Sequence, residues 1–168
     1  MHDVVVVVMF PSEKLDTWAP GSHTGTFRGN QMAMVAGKAS IDFMLETKLW
    51  EEVASKGEQL AASMKALQSK VQCINDVRGR GLMQGIEIVN PSSGVELDRH
   101  GMKPLDGALA GEIQFQCTKR GMILERGGRD GAIIRFLVPL IVTPEELDIC
   151  TGIFGEAVPA AQKKLYGI

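Results

Sequence analysis

Met122-Ile123-Leu124-Glu125, then Arg126-Gly127-Gly128-Arg129-Asp130-Gly131, then Ala132-Ile133-Ile134-Arg135-Phe136-Leu137-Val138 is the stretch that decides the fold. Two apolar, β-branched runs flanking a glycine-rich polar segment read as a β-hairpin. Just upstream, Asp106 caps a predicted helix to about Arg120, with Leu105, Leu109, Ile113 and Cys117 along one side. Just downstream, Thr143-Pro144-Glu145-Glu146 combines a hydroxyl N-cap, a proline at N1 and a glutamate at N3. That is a capping box, and it opens a helix whose expected buried face is Leu147, Cys150, Phe154, Val158, Ala161 and Leu165. Helix, hairpin and helix in this order predict a small antiparallel sheet with helices on one face.

Further from the hairpin, Cys73-Ile74 to Val77 and Gly85-Ile86-Glu87-Ile88-Val89 read as two strands or one bent strand. Between them Val77-Arg78-Gly79-Arg80-Gly81-Leu82-Met83-Gln84-Gly85 has the spacing G-x-G-x-x-x-G, and no helical pattern opens after it. Its glycines therefore suit a bend or bulge better than a bound phosphate. Asn30 caps a helix from Gln31 to about Leu45 whose face is built of small residues, Ala33, Ala36, Gly37 and Ala39. A second helix, about Lys48 to Lys70, carries one apolar stripe of Leu49, Val53, Leu60, Met64, Leu67 and Val71. Val4-Val5-Val6-Val7-Val8-Met9-Phe10 is continuously apolar, the pattern of a strand buried on both faces, and such a strand needs neighbours on both sides. Residues 1–45 accordingly read as the tail of a larger domain, and 46–168 as a small C-terminal α+β domain.

Composition narrows the function. With 18 Lys+Arg against 20 Asp+Glu the formal net charge is −2 over 168 residues, which gives no footprint for nucleic acid or an anionic membrane. Hydrophobic residues at 45% and charged residues at 23% exclude a disordered or fibrous chain. The run Val4 to Phe10 is about a third of the length a bilayer crossing needs. Cys73, Cys117 and Cys150 are widely spaced and form no CxxC pair, so reduced thiols and a cytoplasmic location are expected, without a disulfide framework. His23 and His100 have no ligand at metal-binding spacing, and no metal is predicted.

Two segments carry candidate chemistry. Gly21-Ser22-His23-Thr24-Gly25-Thr26-Phe27-Arg28-Gly29-Asn30 runs into a helix N-terminus, where hydroxyls, glycine amides and the helix dipole together favour an anion such as phosphate. The alternative is a capped loop that merely turns into the helix. Arg135 is centred in an apolar strand, with Ile134 and Phe136 on the opposite face. It is either a solvated face residue or a guanidinium fork aimed to take a carboxylate in bidentate fashion.

Asp16 to Gln31 resembles the loop of class III, pyridoxal-phosphate-dependent aminotransferases, which carries a histidine and then Thr-Phe-Gly-Gly-Asn-Pro. Val77-Arg78-Gly79-Arg80-Gly81-Leu82-Met83 is similar to the family's R-G-x-G-L-M segment. Ile133 to Leu140 resembles its arginine strand ending in Pro-Pro-Leu, with Val138 in place of the first proline. Arg28 and Gln31, where many members have Gly and Pro, make the loop look like that of the diaminobutyrate–2-oxoglutarate members.

The resemblance implies an α/β fold, the fold type I of pyridoxal-phosphate enzymes, here as its C-terminal fragment. It implies that Thr26 binds the phosphate of pyridoxal 5'-phosphate, assisted by the backbone amide of Gly25, in the site of a homodimer partner. It implies that Arg135 holds the α-carboxylate of glutamate or 2-oxoglutarate, with a diamino acid as amino donor. The family's Schiff-base lysine precedes the strand matched by Val4 to Phe10, and no lysine of this chain sits in a matching context. The chain is therefore expected to carry no catalytic residue of its own and to be inactive alone. The rival expectation is a stand-alone, non-catalytic α+β module that binds a partner chain or a small anion.

Overall fold

The computed structural model describes residues 13, 17–22, 24–26, 28–92, 96–97 and 101–168. The run Val4 to Phe10, His23, Phe27 and His100 lie outside the described residues. Two units are distinguished, Met1–Lys48 and Leu49–Ile168.

The first unit contains helix α1, Gln31–Thr47. Asn30 caps it as expected: its side-chain oxygen accepts from the Ala33 N–H at 3.1 Å. The helix ends at Lys48, whose left-handed backbone (φ 49°, ψ 42°) lets its N–H reach back to the carbonyls of Met44 and Leu45. None of its side chains is buried, and Met32, Val35 and Leu45 are each at least 60% exposed.

The second unit is a four-stranded antiparallel sheet in the order β1-β2-β4-β3, covered on one face by helices. The elements are α2 (Leu49–Gln68), β1 (Ile74–Arg80), β2 (Met83–Ile88), α3 (Gly107–Lys119), β3 (Glu125–Gly127), β4 (Ile133–Leu137) and α4 (Pro144–Tyr166). Gln84, Ile86, Ile88, Ile134 and Phe136 point inward, and alternation sends Met83, Gly85, Arg135 and Leu137 to the other face. The inward residues meet Leu60 and Met64 of α2, Leu109 and Ile113 of α3, and Phe154 and Val158 of α4 in one core. Phe154 stands edge-on to Phe136 with ring centroids 5.3 Å apart. Burying each such side chain stabilises the fold by about 1.5–3 kcal/mol, so the inward face, and not the hydrogen-bond ladder alone, sets the register.

The caps behave as the sequence dictates. The Asp106 carboxylate accepts from the Leu109 N–H at 2.8 Å, and Thr143 and Glu146 complete their reciprocal bonds at 3.2 and 2.9 Å. Asp106 also accepts a hydrogen bond from the Tyr166 hydroxyl, which ties the end of α4 to the start of α3. Burial, with this bond second, pushes the Tyr166 pKa up to about 12. The same contact turns Tyr166 inward and leaves Leu165, expected on the buried face, 45% exposed.

The glycine-rich step is the turn of a hairpin, so the choice between two strands and one bent strand resolves to two. Gly81, at φ +54°, makes the turn where Arg80 pairs with Met83. The second hairpin is shorter than its apolar sequence suggests. Met122, Ile123 and Leu124 precede the pairing, which runs only over Glu125–Gly127, and a 3-10 turn at Arg129–Gly131 closes the loop.

Candidate functional site

Arg135 owes its position to strand parity. Its neighbours Ile134 and Phe136 are fully buried, which forces the guanidinium onto the face that the helices of this unit leave uncovered. Across the sheet one row reads Arg78, Gly85, Arg135, Glu125, one residue from each strand. Gly85 brings no side chain to the row, so Arg135 has room on its β2 side.

On the β3 side, Arg135 Nη2 donates to Glu125 Oε1 at 2.6 Å. Both side chains are about half exposed, at 43% and 51%. The guanidinium lies over Gly127: a Cβ built on that glycine would come within 2.9 Å of Nη2 and 3.3 Å of Cζ. A side chain at position 127 would therefore displace the arginine head. Glu125, Arg126 and Arg135 line an open cavity of about 540 Å³ together with Gln114, Leu137 and Pro139. A positively charged fork beside a mostly apolar cavity is suited to a small carboxylic acid.

Two further arginines of the sheet, Arg78 and Arg126, are tied down twice. Arg78 pairs with Asp76 at 2.6 Å and Glu87 at 3.2 Å, and Arg126 donates to the backbone carbonyls of Gly107 and Gly131. Asn75, at an irregularity in the β1 register, also donates to Glu87 at 2.8 Å.

In the first unit, Gly25 and Thr26 lie in a turn closed by the Arg28 N–H to Gly25 carbonyl bond at 3.2 Å, just ahead of the Asn30 cap. Thr26 is exposed, and the Arg28 side chain folds back over Gly25, where a built Cβ would stand 3.0 Å from Nε. A hydroxyl and a guanidinium in one turn before a helix N-terminus are a donor set that fits a phosphate. Thr26 belongs to the first unit and Arg135 to the second.

Glu125 and Gly127 were not legible as site residues from the sequence. The signal lay in the hairpin register: with the loop centred on Arg129–Gly131, counting back along the pairing puts Glu125 opposite Arg135 and Gly127 opposite Ile133. The cysteines belong to the packing. Cys73 and Cys117 are buried, and burial pushes their thiols up to about 12 and about 11. Cys150 is raised by burial and then by Glu146. Among the described residues no cluster of His, Cys, Asp or Glu is arranged to hold a metal ion, and no helix is long and apolar enough to cross a membrane.

Comparison with known proteins names the family. The profile of the aminotransferase class-III family matches residues 5–158. The chain belongs to the class III aminotransferases. Enzymes of this class depend on pyridoxal 5'-phosphate. A diaminobutyrate–2-oxoglutarate aminotransferase of Rhizobium meliloti (strain 1021) is 38% identical over 159 residues, which is 95% of this chain and 33% of that protein. One of Haemophilus influenzae (strain ATCC 51907 / DSM 11121 / KW20 / Rd) is 39% identical over 158 residues, 94% of this chain and 34% of that protein. Among solved structures, a Bacillus anthracis aminotransferase superposes with a TM-score of 0.71 at 26% identity, covering 83% of this chain and 30% of that one. The chain thus spans about a third of the length of the curated relatives it matches. The class III aminotransferase fold accounts for the small antiparallel sheet with helices on one face, as the hairpin and its flanking helices led one to expect.

Proposed function

We propose that this chain is the C-terminal part of an aminotransferase that moves an amino group between a diamino acid, such as 2,4-diaminobutyrate, and 2-oxoglutarate. In this reading residues 1–45 end the large cofactor domain and 46–168 form the small C-terminal domain. Gly25 and Thr26 hold the phosphate of pyridoxal 5'-phosphate, and Arg135 holds the carboxylate of the oxo acid or of glutamate. When bound, the cofactor supplies the carbonyl that accepts the amino group and the electron sink that activates the donor. The chain's own residues do the holding: the Thr26 hydroxyl donates to phosphate oxygen, and the Arg135 fork orients the substrate carboxylate beside the cavity. The lysine that anchors the cofactor is assigned to the rest of the protein, so the chain alone is inactive. A homodimer in the cytoplasm is part of the same proposal. In its favour stand the exposed apolar residues of α1, which buries none of its side chains, and three cysteines that are free thiols.

The observation that carries the reading is Arg135, placed by strand parity on the uncovered sheet face with its head over Gly127 and against a cavity. In the full-length aminotransferase, Arg135→Ala raises the KM for 2-oxoglutarate about 10- to 100-fold, the scale of a lost charge-assisted hydrogen bond, and affects the diamino acid half-reaction less. Unchanged 2-oxoglutarate kinetics would remove Arg135 from the site. Thr26→Ala weakens retention of pyridoxal 5'-phosphate, read as the cofactor fraction left after dialysis; retention equal to wild type assigns the phosphate to other residues.

A further inference from the structure

Two residues along β1 from Arg78, and so on the same uncovered face of the sheet, stands Arg80. Its row reads Arg80, Met83, Leu137, one residue each from β1, β2 and β4, and lies directly beside the row that carries Arg135. Two strand spacings and a two-residue rise put the Cα atoms of Arg80 and Arg135 about 12 Å apart. Both side chains leave the same face, so their heads can close on one small molecule. Arg80 also differs from the other arginines of the sheet in its partners. Arg78 and Arg135 pair with carboxylates and Arg126 with backbone carbonyls, whereas among the described residues Arg80 makes no ion pair and no side-chain hydrogen bond. It borders a cavity of about 280 Å³ with Leu82 and Met83, and this cavity shares Leu137 and Val138 with the larger one beside Arg135. Two guanidiniums thus flank adjoining hollows, with the exposed apolar side chains of Met83 and Leu137 between them.

We propose that Arg80 is a specificity-determining residue of this site: it takes the second carboxylate of a dicarboxylic oxo acid whose first carboxylate is on Arg135. The proposal rests on the reading of Arg135 as the carboxylate clamp. A straight-chain dicarboxylate carries charge, apolar spacer and charge in that order, the complement of this stretch of the face. Its methylenes lose water against Met83 and Leu137 while each carboxylate meets a guanidinium fork. A monocarboxylic oxo acid fills only one of the two forks. A diamino acid has an ammonium in place of the second carboxylate, and Arg80 repels it, so the same residue favours one substrate and disfavours the other. Arg78 lies nearer to Arg135 in the sheet, but its two carboxylate partners already neutralise it.

The test is steady-state kinetics of the full-length aminotransferase with two amino acceptors, 2-oxoglutarate and 2-oxopentanoate, which has the same chain length but lacks the second carboxylate. Wild type is compared with Arg80→Ala, Arg80→Lys and Arg135→Ala, and glutarate serves as a non-reacting dicarboxylate competitor. Arg80→Ala is expected to raise the KM for 2-oxoglutarate and the Ki of glutarate about tenfold, and the ratio of the 2-oxoglutarate KM to the 2-oxopentanoate KM by a similar factor. Arg80→Lys keeps the charge without the fork and is expected to recover part of that ratio. Arg135→Ala is expected to raise the KM for both oxo acids. If Arg80→Ala leaves the ratio at its wild-type value, whether both KM values stay or rise together, the role of Arg80 is overturned while the clamp stands. If Arg135→Ala leaves both KM values unchanged, the clamp itself fails and the two-point hold with it.

Discussion

Arg78 and Arg135 stand in one row of the sheet, on either side of Gly85, yet the two hairpins that carry them are built for different ends. In the β1–β2 hairpin, glycine allows two backbones to touch. A Cβ on Gly57 of α2 would lie 2.4 Å from the Cα of Gly81 in the turn, so the helix can settle on the hairpin only if position 57 lacks a side chain. Arg78 there is locked between Asp76 and Glu87. In the β3–β4 hairpin, the Gly127 position keeps space for a side chain, the head of Arg135, which pairs with Glu125. The first arrangement spends its small residues on packing, the second on leaving a charged group accessible.

The sharpest way to break this contrast is Gly57→Ala. Overpacking against main chain costs about 3 kcal/mol, and the gain in helix propensity returns only ~1, so a net loss of about 2 kcal/mol is expected in denaturant unfolding. A variant as stable as wild type would mean that α2 does not need the close approach. Next in size is Gly127→Ala. Its new methyl meets only the end of a flexible side chain, so the unfolding midpoint should hold while the KM for 2-oxoglutarate rises on the order of 10-fold. Loss of stability with unchanged KM would turn Gly127 into a packing residue like Gly57. The smallest effect belongs to Arg78→Ala, whose ion pairs are exposed on the arginine side: a stability change within about 1 kcal/mol and no change in 2-oxoglutarate kinetics. A KM effect comparable to that of Arg135→Ala would put both arginines in the carboxylate site and erase the difference between the hairpins.

Much of the fold was legible in the sequence because its signals are local. Asn30, Asp106 and Thr143 each accept from an N–H three residues on, so the start of a helix is written within four residues. The alternation Ile134-Arg135-Phe136 likewise decides which way the arginine points without reference to any other element. Leu165 shows the limit of the same reasoning. Helical spacing put it inward, and the bond from Tyr166 to Asp106, 60 residues away, turned the last residues of α4 otherwise.

The sequence alone determined α1, α3 and α4 through their caps and α2 through its apolar stripe, the inward and outward faces of β4, and Arg135 and Thr26 as the groups to examine. Only the tertiary structure decided that β4 inserts between β2 and β3, that Glu125 stands opposite Arg135, and that Gly57 meets Gly81. Capping bonds and side-chain parity act over a few residues of one segment, whereas a strand's partner is chosen by which pairing buries the most apolar surface once distant segments meet.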